Sequence, residues 1–166
     1  MKIRSVKLNN HKKAFEVRTY KGQYDLPFSR ACLRPTKANP VRDLYIDAEL
    51  GDEAFTYVLA SGEEESIHID QVLEYNREPA YMRDLLLYKL TVEAGRCVAS
   101  SDLSKRELSR RLGTSPTQLY RLLDEENYSK TIDQMIELLS ILDCPVEIKV
   151  AKPKDKRRAA SCPSAA

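Results

Sequence analysis

Residues 104–123 read SKRELSRRLGTSPTQLYRLL, and their punctuation decides how the C-terminal half folds. Ser104-Lys105-Arg106-Glu107 has the S-x-x-E spacing of a capping box. In it a serine hydroxyl and a glutamate carboxylate each satisfy an orphan N–H at a helix start. Leu108 and Leu112 then share one face, and Gly113 stands where a helix commonly ends in a left-handed turn. Ser115-Pro116-Thr117-Gln118 repeats the signal as S-x-x-Q, with proline at the first helical position. The second helix carries Leu119, Leu122 and Leu123. The stretch reads as two short helices joined by a glycine turn.

Upstream, from Ala80, apolar residues recur at helical spacing. Tyr81, Leu85, Tyr88 and Val92 form one row, and Leu86, Leu87, Leu90 and Ala94 widen it. This predicts a long helix from about Ala80 to Val98, with Pro79 in its first turn. Downstream, Thr131-Ile132-Asp133-Gln134 opens a further helix bearing Met135, Ile136, Leu138, Leu139 and Leu142, and Asp143-Cys144-Pro145 ends it. Val146-Glu147-Ile148-Lys149-Val150 alternates and reads as a closing strand, added to a sheet or paired with its copy in a dimer.

The first seventy residues follow a period near two. Ile3, Val6 and Leu8 open one strand; Ala14, Phe15, Val17 and Tyr20 mark a second. Lys21-Gly22-Gln23 turns into Tyr24–Phe28, a third. Arg34–Pro40 is a loop because it holds two prolines and an asparagine. Leu44, Ile46 and Leu50 predict a fourth strand ended by Gly51-Asp52. Phe55, Tyr57 and Leu59 alternate again, and Ser61-Gly62-Glu63 turns the chain into Ser66–Ile69. Asp70 is placed to cap a short helix over Gln71–Tyr75. The order of opening strand, hairpin and helix resembles a small bacterial β-domain family of unknown function, which carries no activity to transfer.

The expected architecture is α+β. A small β-rich domain (1–78) precedes an all-helical domain with a closing C-terminal strand (79–150) and a disordered basic tail (151–166). At 166 residues, 42% hydrophobic and 31% charged, the chain can build a core and is too charged to be a membrane protein. No apolar run approaches the roughly 18 residues of a spanning helix. The basic, alternating start MKIRSVKLNNHKK has no apolar core of a secretory signal. Cytoplasmic localisation is the expectation.

Chemistry-bearing motifs are sparse. Cys32, Cys97, Cys144 and Cys162 are far apart and are expected to be free, inert thiols. His11 and His68 show no metal-ligand spacing, so neither a metal nor another cofactor is expected. His68 and Asp70, two apart on an expected strand, would share a face, but no nucleophile elbow or glycine-rich phosphate loop accompanies them. The Glu63-Glu64-Glu65 run reads as a solvated turn. No enzyme is expected.

Net charge is only +2, and its distribution says more than its sum. Residues 1–80 and 81–150 each carry a net −1, and the last sixteen carry +4, from Lys152, Lys154, Lys156, Arg157 and Arg158 against Asp155. Inside the second block, Lys105, Arg106, Arg110, Arg111 and Arg121 face only Glu107, a local +4 over residues 104–123. Such a patch attracts phosphates and releases their counterions. The second helix offers Ser115, Thr117, Gln118, Tyr120 and Arg121 away from its leucines. Glutamine can pair with adenine and arginine with guanine, at about 1–3 kcal/mol of discrimination each.

Lys105–Leu123, with Leu108, Leu112, Leu119 and Leu122 at core positions and Gly113 at the turn, resembles the helix-turn-helix of the phage-repressor-like superfamily. The resemblance implies a DNA-binding transcriptional regulator that contacts double-stranded DNA as a homodimer. It implies base-edge contacts from Ser115, Thr117, Gln118, Tyr120 and Arg121, and phosphate contacts from Lys105, Arg106 and Arg110. In that family the loop after the recognition helix also touches phosphate, which would add Ser129, Lys130 and Thr131. A second resemblance, of the late helices and closing strand to antitoxins that repress their own operon, implies a protein partner for the first domain.

Overall fold

A computed structural model describes residues 1–150; the tail expected to be disordered lies outside the described residues. The chain divides into two compact units, with the boundary between Tyr81 and Met82.

The first unit holds two antiparallel three-stranded meanders. One is β1 (Ile3–Asn9), β2 (Ala14–Thr19) and β3 (Gln23–Pro27); the other is β4 (Val41–Asp47), β5 (Ala54–Leu59) and β6 (Glu64–His68). Register follows the alternation of the strands: Phe15 opposes Leu8 and Leu26, and Phe55 opposes Ile46 and Ile67. Phe15 on β2 meets Phe55 and Tyr57 on β5 with ring centroids 5.1 and 4.9 Å apart, so the two sheets share one core. Helix α1 (Ile69–Asn76) adds Ile69, Val72 and Leu73 to it. Its cap is the His68 ring, which accepts the Asp70 N–H, and not Asp70, which sits in the first turn. His68 and Asp70 therefore do not share a strand face; the first ends β6 and the second belongs to α1.

The second unit is helical. It comprises most of α2 (Pro79–Ser100), with α3 (Lys105–Arg111), α4 (Pro116–Leu123) and α5 (Ile132–Ile141). Leu87, Ala94, Leu108, Leu119, Leu122, Met135, Leu138 and Leu139 form its buried core. On α2 the buried row is Leu87, Thr91 and Ala94, whereas Leu86 and Tyr88 are exposed. Apolar residues surround this helix, so periodicity alone cannot choose the inward row. Thr91 tolerates burial because its hydroxyl donates to the Leu87 carbonyl at 2.7 Å.

Two further expectations need correction. All six strands precede α2, and the closing strand at Val146–Val150 does not form; α5 is the last regular element among the described residues. The alternation there is genuine, but a strand needs a neighbour to take its backbone hydrogen bonds, and Ile148 and Val150 stand 74% and 91% exposed. Cys97 and Cys144, expected as free thiols, are joined in a disulfide, and Cys32, also expected to be free, is disulfide-bonded as well. Cysteine spacing in sequence says nothing about the approach of two sulfurs brought together by folding. Among the described residues no helix is long and apolar enough to cross a membrane.

Candidate nucleic-acid interface

The pair α3–α4 is organised by its ends. Ser104 caps α3 by accepting the Glu107 N–H at 3.2 Å, and Ser115 caps α4 by accepting the Gln118 N–H at 3.2 Å. Only the serine half of the first box is made, because the Glu107 carboxylate turns to Arg110 and Arg111 instead. The complete reciprocal box is at α5, between Thr131 and Gln134. Between α3 and α4, Gly113 has φ +62°; its N–H donates to the Arg110 carbonyl and that of Thr114 to Ser109. This is the Schellman pattern, in which glycine avoids the cost of a left-handed backbone.

The turn leaves Leu119 and Leu122 inward and exposes Ser115, Thr117, Gln118, Tyr120 and Arg121. On α3, Lys105, Arg106 and Arg110 are exposed, while Leu108 and Ser109 are buried. The Lys105 ammonium lies 4.7 Å from the centroid of the Tyr120 ring, a cation–π contact that links the two helices at the surface. Tyr120 is 56% exposed, so its ring supports Lys105 and does not fill the core.

Charge is less free than the residue count suggests. Arg110 donates to both Glu107 oxygens, at 2.8 and 2.6 Å, and Arg111 adds a bond of 3.0 Å. Hydrogen bonds from Arg110, then Arg111, hold the Glu107 carboxyl down to about 2. Arg110 remains mostly exposed while so engaged.

The loop from Asp124 to Thr131 is built from its own side chains. Asn127 donates to the Arg121 carbonyl at 2.9 Å, and its side-chain oxygen accepts both the N–H and the hydroxyl of Ser129. Thr131 is the N-cap of α5. Lys130 is 5% exposed, and its ammonium donates to the Leu122 and Asp124 carbonyls at 3.0 and 2.5 Å. It thus neutralises the negative end of α4 from inside. Burial pushes this ammonium below its ordinary value. At Lys130, expected to contact phosphate, the charge points at the protein's own carbonyls.

Gln118, Arg121, Ser129 and Lys130 line one polar cleft of about 190 Å³, together with Asn127 and Gln134. Lys105 and Tyr120 form a separate contact outside that lining, and Arg110 belongs to the Glu107 cluster. Asn127, absent from the expected site, is the organiser of the loop. Its signal was legible as Asn127-x-Ser129, the spacing of a local asparagine turn. No family model, curated protein or solved structure matches this chain.

Proposed function

We propose that this protein is a sequence-specific DNA-binding regulator. Its α4 would lie in the major groove, and a two-fold dimer would place two such helices about 34 Å apart. The observation that carries the reading is the outward face of α4: Thr117, Gln118 and Arg121 are exposed, while Leu119 and Leu122 fix the helix to the core. Gln118 and Arg121 have the chemistry to read adenine and guanine edges, and Ser115 and Thr117 are short enough to let the helix approach. Lys105, held over Tyr120, and Arg106 supply phosphate contacts, with Arg110 contributing when phosphate competes for its guanidinium. Inward-turned Lys130 serves by holding the end of α4 in place.

Selection from random duplex DNA at moderate salt tests this. Wild type should enrich a motif. Gln118→Ala and Arg121→Ala should each relax preference at one position, at about 1–3 kcal/mol. If wild type enriches nothing, the reading is wrong.

A further inference from the structure

Cys97 and Cys144 bracket the part of the chain that carries the proposed interface. Cys97 lies near the C-terminal end of α2, and Cys144 just follows α5. Their sulfurs are bonded across a sequence separation of 47, with Cα atoms 6.9 Å apart. Every residue proposed to meet a duplex therefore lies inside the loop that this bond closes. Cys144 is delivered by a second Schellman turn: Asp143 takes φ +54°, and the Cys144 N–H donates to the Leu139 carbonyl at 2.9 Å. Helix α3 approaches both α4 and α5 closely. Helix α2 joins them through side chains such as Leu87 and Ala94, and through the Cys97 sulfur. Both cysteines pack against the helical core, yet neither is fully buried, so a small thiol can reach them.

We propose that Cys97 and Cys144 form a reversible redox latch on the helical unit. The latch sets the unit's stability and, resting on the DNA reading above, its competence to bind duplex. Closure needs a low-molecular-weight disulfide such as oxidised glutathione. One cysteine thiolate attacks a sulfur of that disulfide, forming a mixed disulfide and releasing one small thiol. The second cysteine then attacks the protein sulfur of the mixed disulfide and expels the other small thiol. Two protein thiols are oxidised, one small disulfide is reduced, and the two protons leave on the released thiols. Opening by a dithiol reverses both steps and returns loop entropy to the unfolded chain, which lowers the stability of the fold.

The test compares full-length protein equilibrated in oxidised glutathione with the same protein in dithiothreitol. Melting is followed by the helical circular-dichroism signal. The oxidised form should melt about 10 °C or more above the reduced form. Because Cys32 is disulfide-bonded too, the comparison is made in a Cys32→Ser background, where the double variant Cys97→Ser, Cys144→Ser should melt near the reduced parent in both buffers. Alkylation followed by peptide mass should find Cys97 and Cys144 protected only after oxidation. Equal melting in both buffers, a shift that survives in the double variant, or alkylation of both cysteines after oxidation each overturns the latch. Binding to a selected duplex, read by fluorescence anisotropy between the two melting temperatures, should weaken at least about tenfold on reduction. A redox-dependent melt with no duplex bound by either form leaves the latch standing and removes the DNA reading. Tight binding with a redox-independent melt does the reverse.

Discussion

The ammonium nitrogen of Lys130 lies 3.0 Å from the carbonyl oxygen of Leu122, eight residues back along the chain. It lies 2.5 Å from that of Asp124. A cation expected to meet phosphate thus closes the C-terminal end of α4 from within. Its removal leaves buried carbonyls without their donor, so Lys130→Met should cost about 1–3 kcal/mol in denaturant unfolding. The same variant should leave the salt slope of duplex binding unchanged, because this charge does not reach phosphate. Lys105→Ala, by contrast, should reduce that slope by about one unit.

Glu107 restrains two guanidiniums, and its carboxyl is depressed from the ordinary 4.5 to about 2. A depressed carboxyl contributes stability above its unfolded value and loses it as the pH falls through the folded one. Melting temperature should therefore fall in wild type relative to Glu107→Gln between about pH 4.5 and pH 2, with a flat difference above that window. Glu107→Gln also releases Arg110 and Arg111, and should steepen the salt dependence of duplex binding by about one to two phosphate equivalents.

In the first unit, the Tyr57 hydroxyl lies 2.5 Å from both the Leu33 carbonyl and a Glu65 carboxylate oxygen. That carboxylate also accepts the N–H groups of Cys32 and Leu33, at 3.1 and 2.7 Å. Burial, then the Glu65 hydrogen bond, pushes the phenol far above its ordinary value. Tyr57→Phe should destabilise this unit by about 1–3 kcal/mol, since it strips a donor from a part-buried network. Denaturant unfolding read on the sheet signal checks it.

Asp143 occupies a left-handed backbone position at φ +54° and carries a negative charge at the C-terminal end of α5. Glycine relieves both costs. Asp143→Gly should raise stability by about 0.5–1 kcal/mol by thermal unfolding, with the Cys97–Cys144 bond retained.

Much of the local structure was written in short signals. Ser104, Ser115 and Thr131 each cap the helix that follows, and Gly113 takes the left-handed turn. Each of those signals acts through atoms within a few residues of itself. The candidate site was legible to the same depth: alternation of leucine with polar residues is enough to expose Gln118 and Arg121. The errors lie where local signals compete or stop. Glu107 had two kinds of partner within reach, a backbone N–H and two guanidiniums, and the charged pair prevailed. Lys130 looked like any loop lysine because nothing near it in sequence records that the end of α4 returns to cover it.

By itself, then, the sequence determined where α3, α4 and α5 begin and which residues of α4 could face outward, because caps, turns and periodicity are short-range physics. Tertiary structure decided that Leu87, Thr91 and Ala94 form the buried row of α2, and that Lys130 points inward. It also joined Cys97 to Cys144 and left Val146–Val150 without a strand partner. Lys130 depends on the turn that brings it back onto the end of α4, eight residues earlier; the other outcomes depend on groups distant along the chain, and burial, pairing and ladder formation exist only once the fold brings those groups into contact.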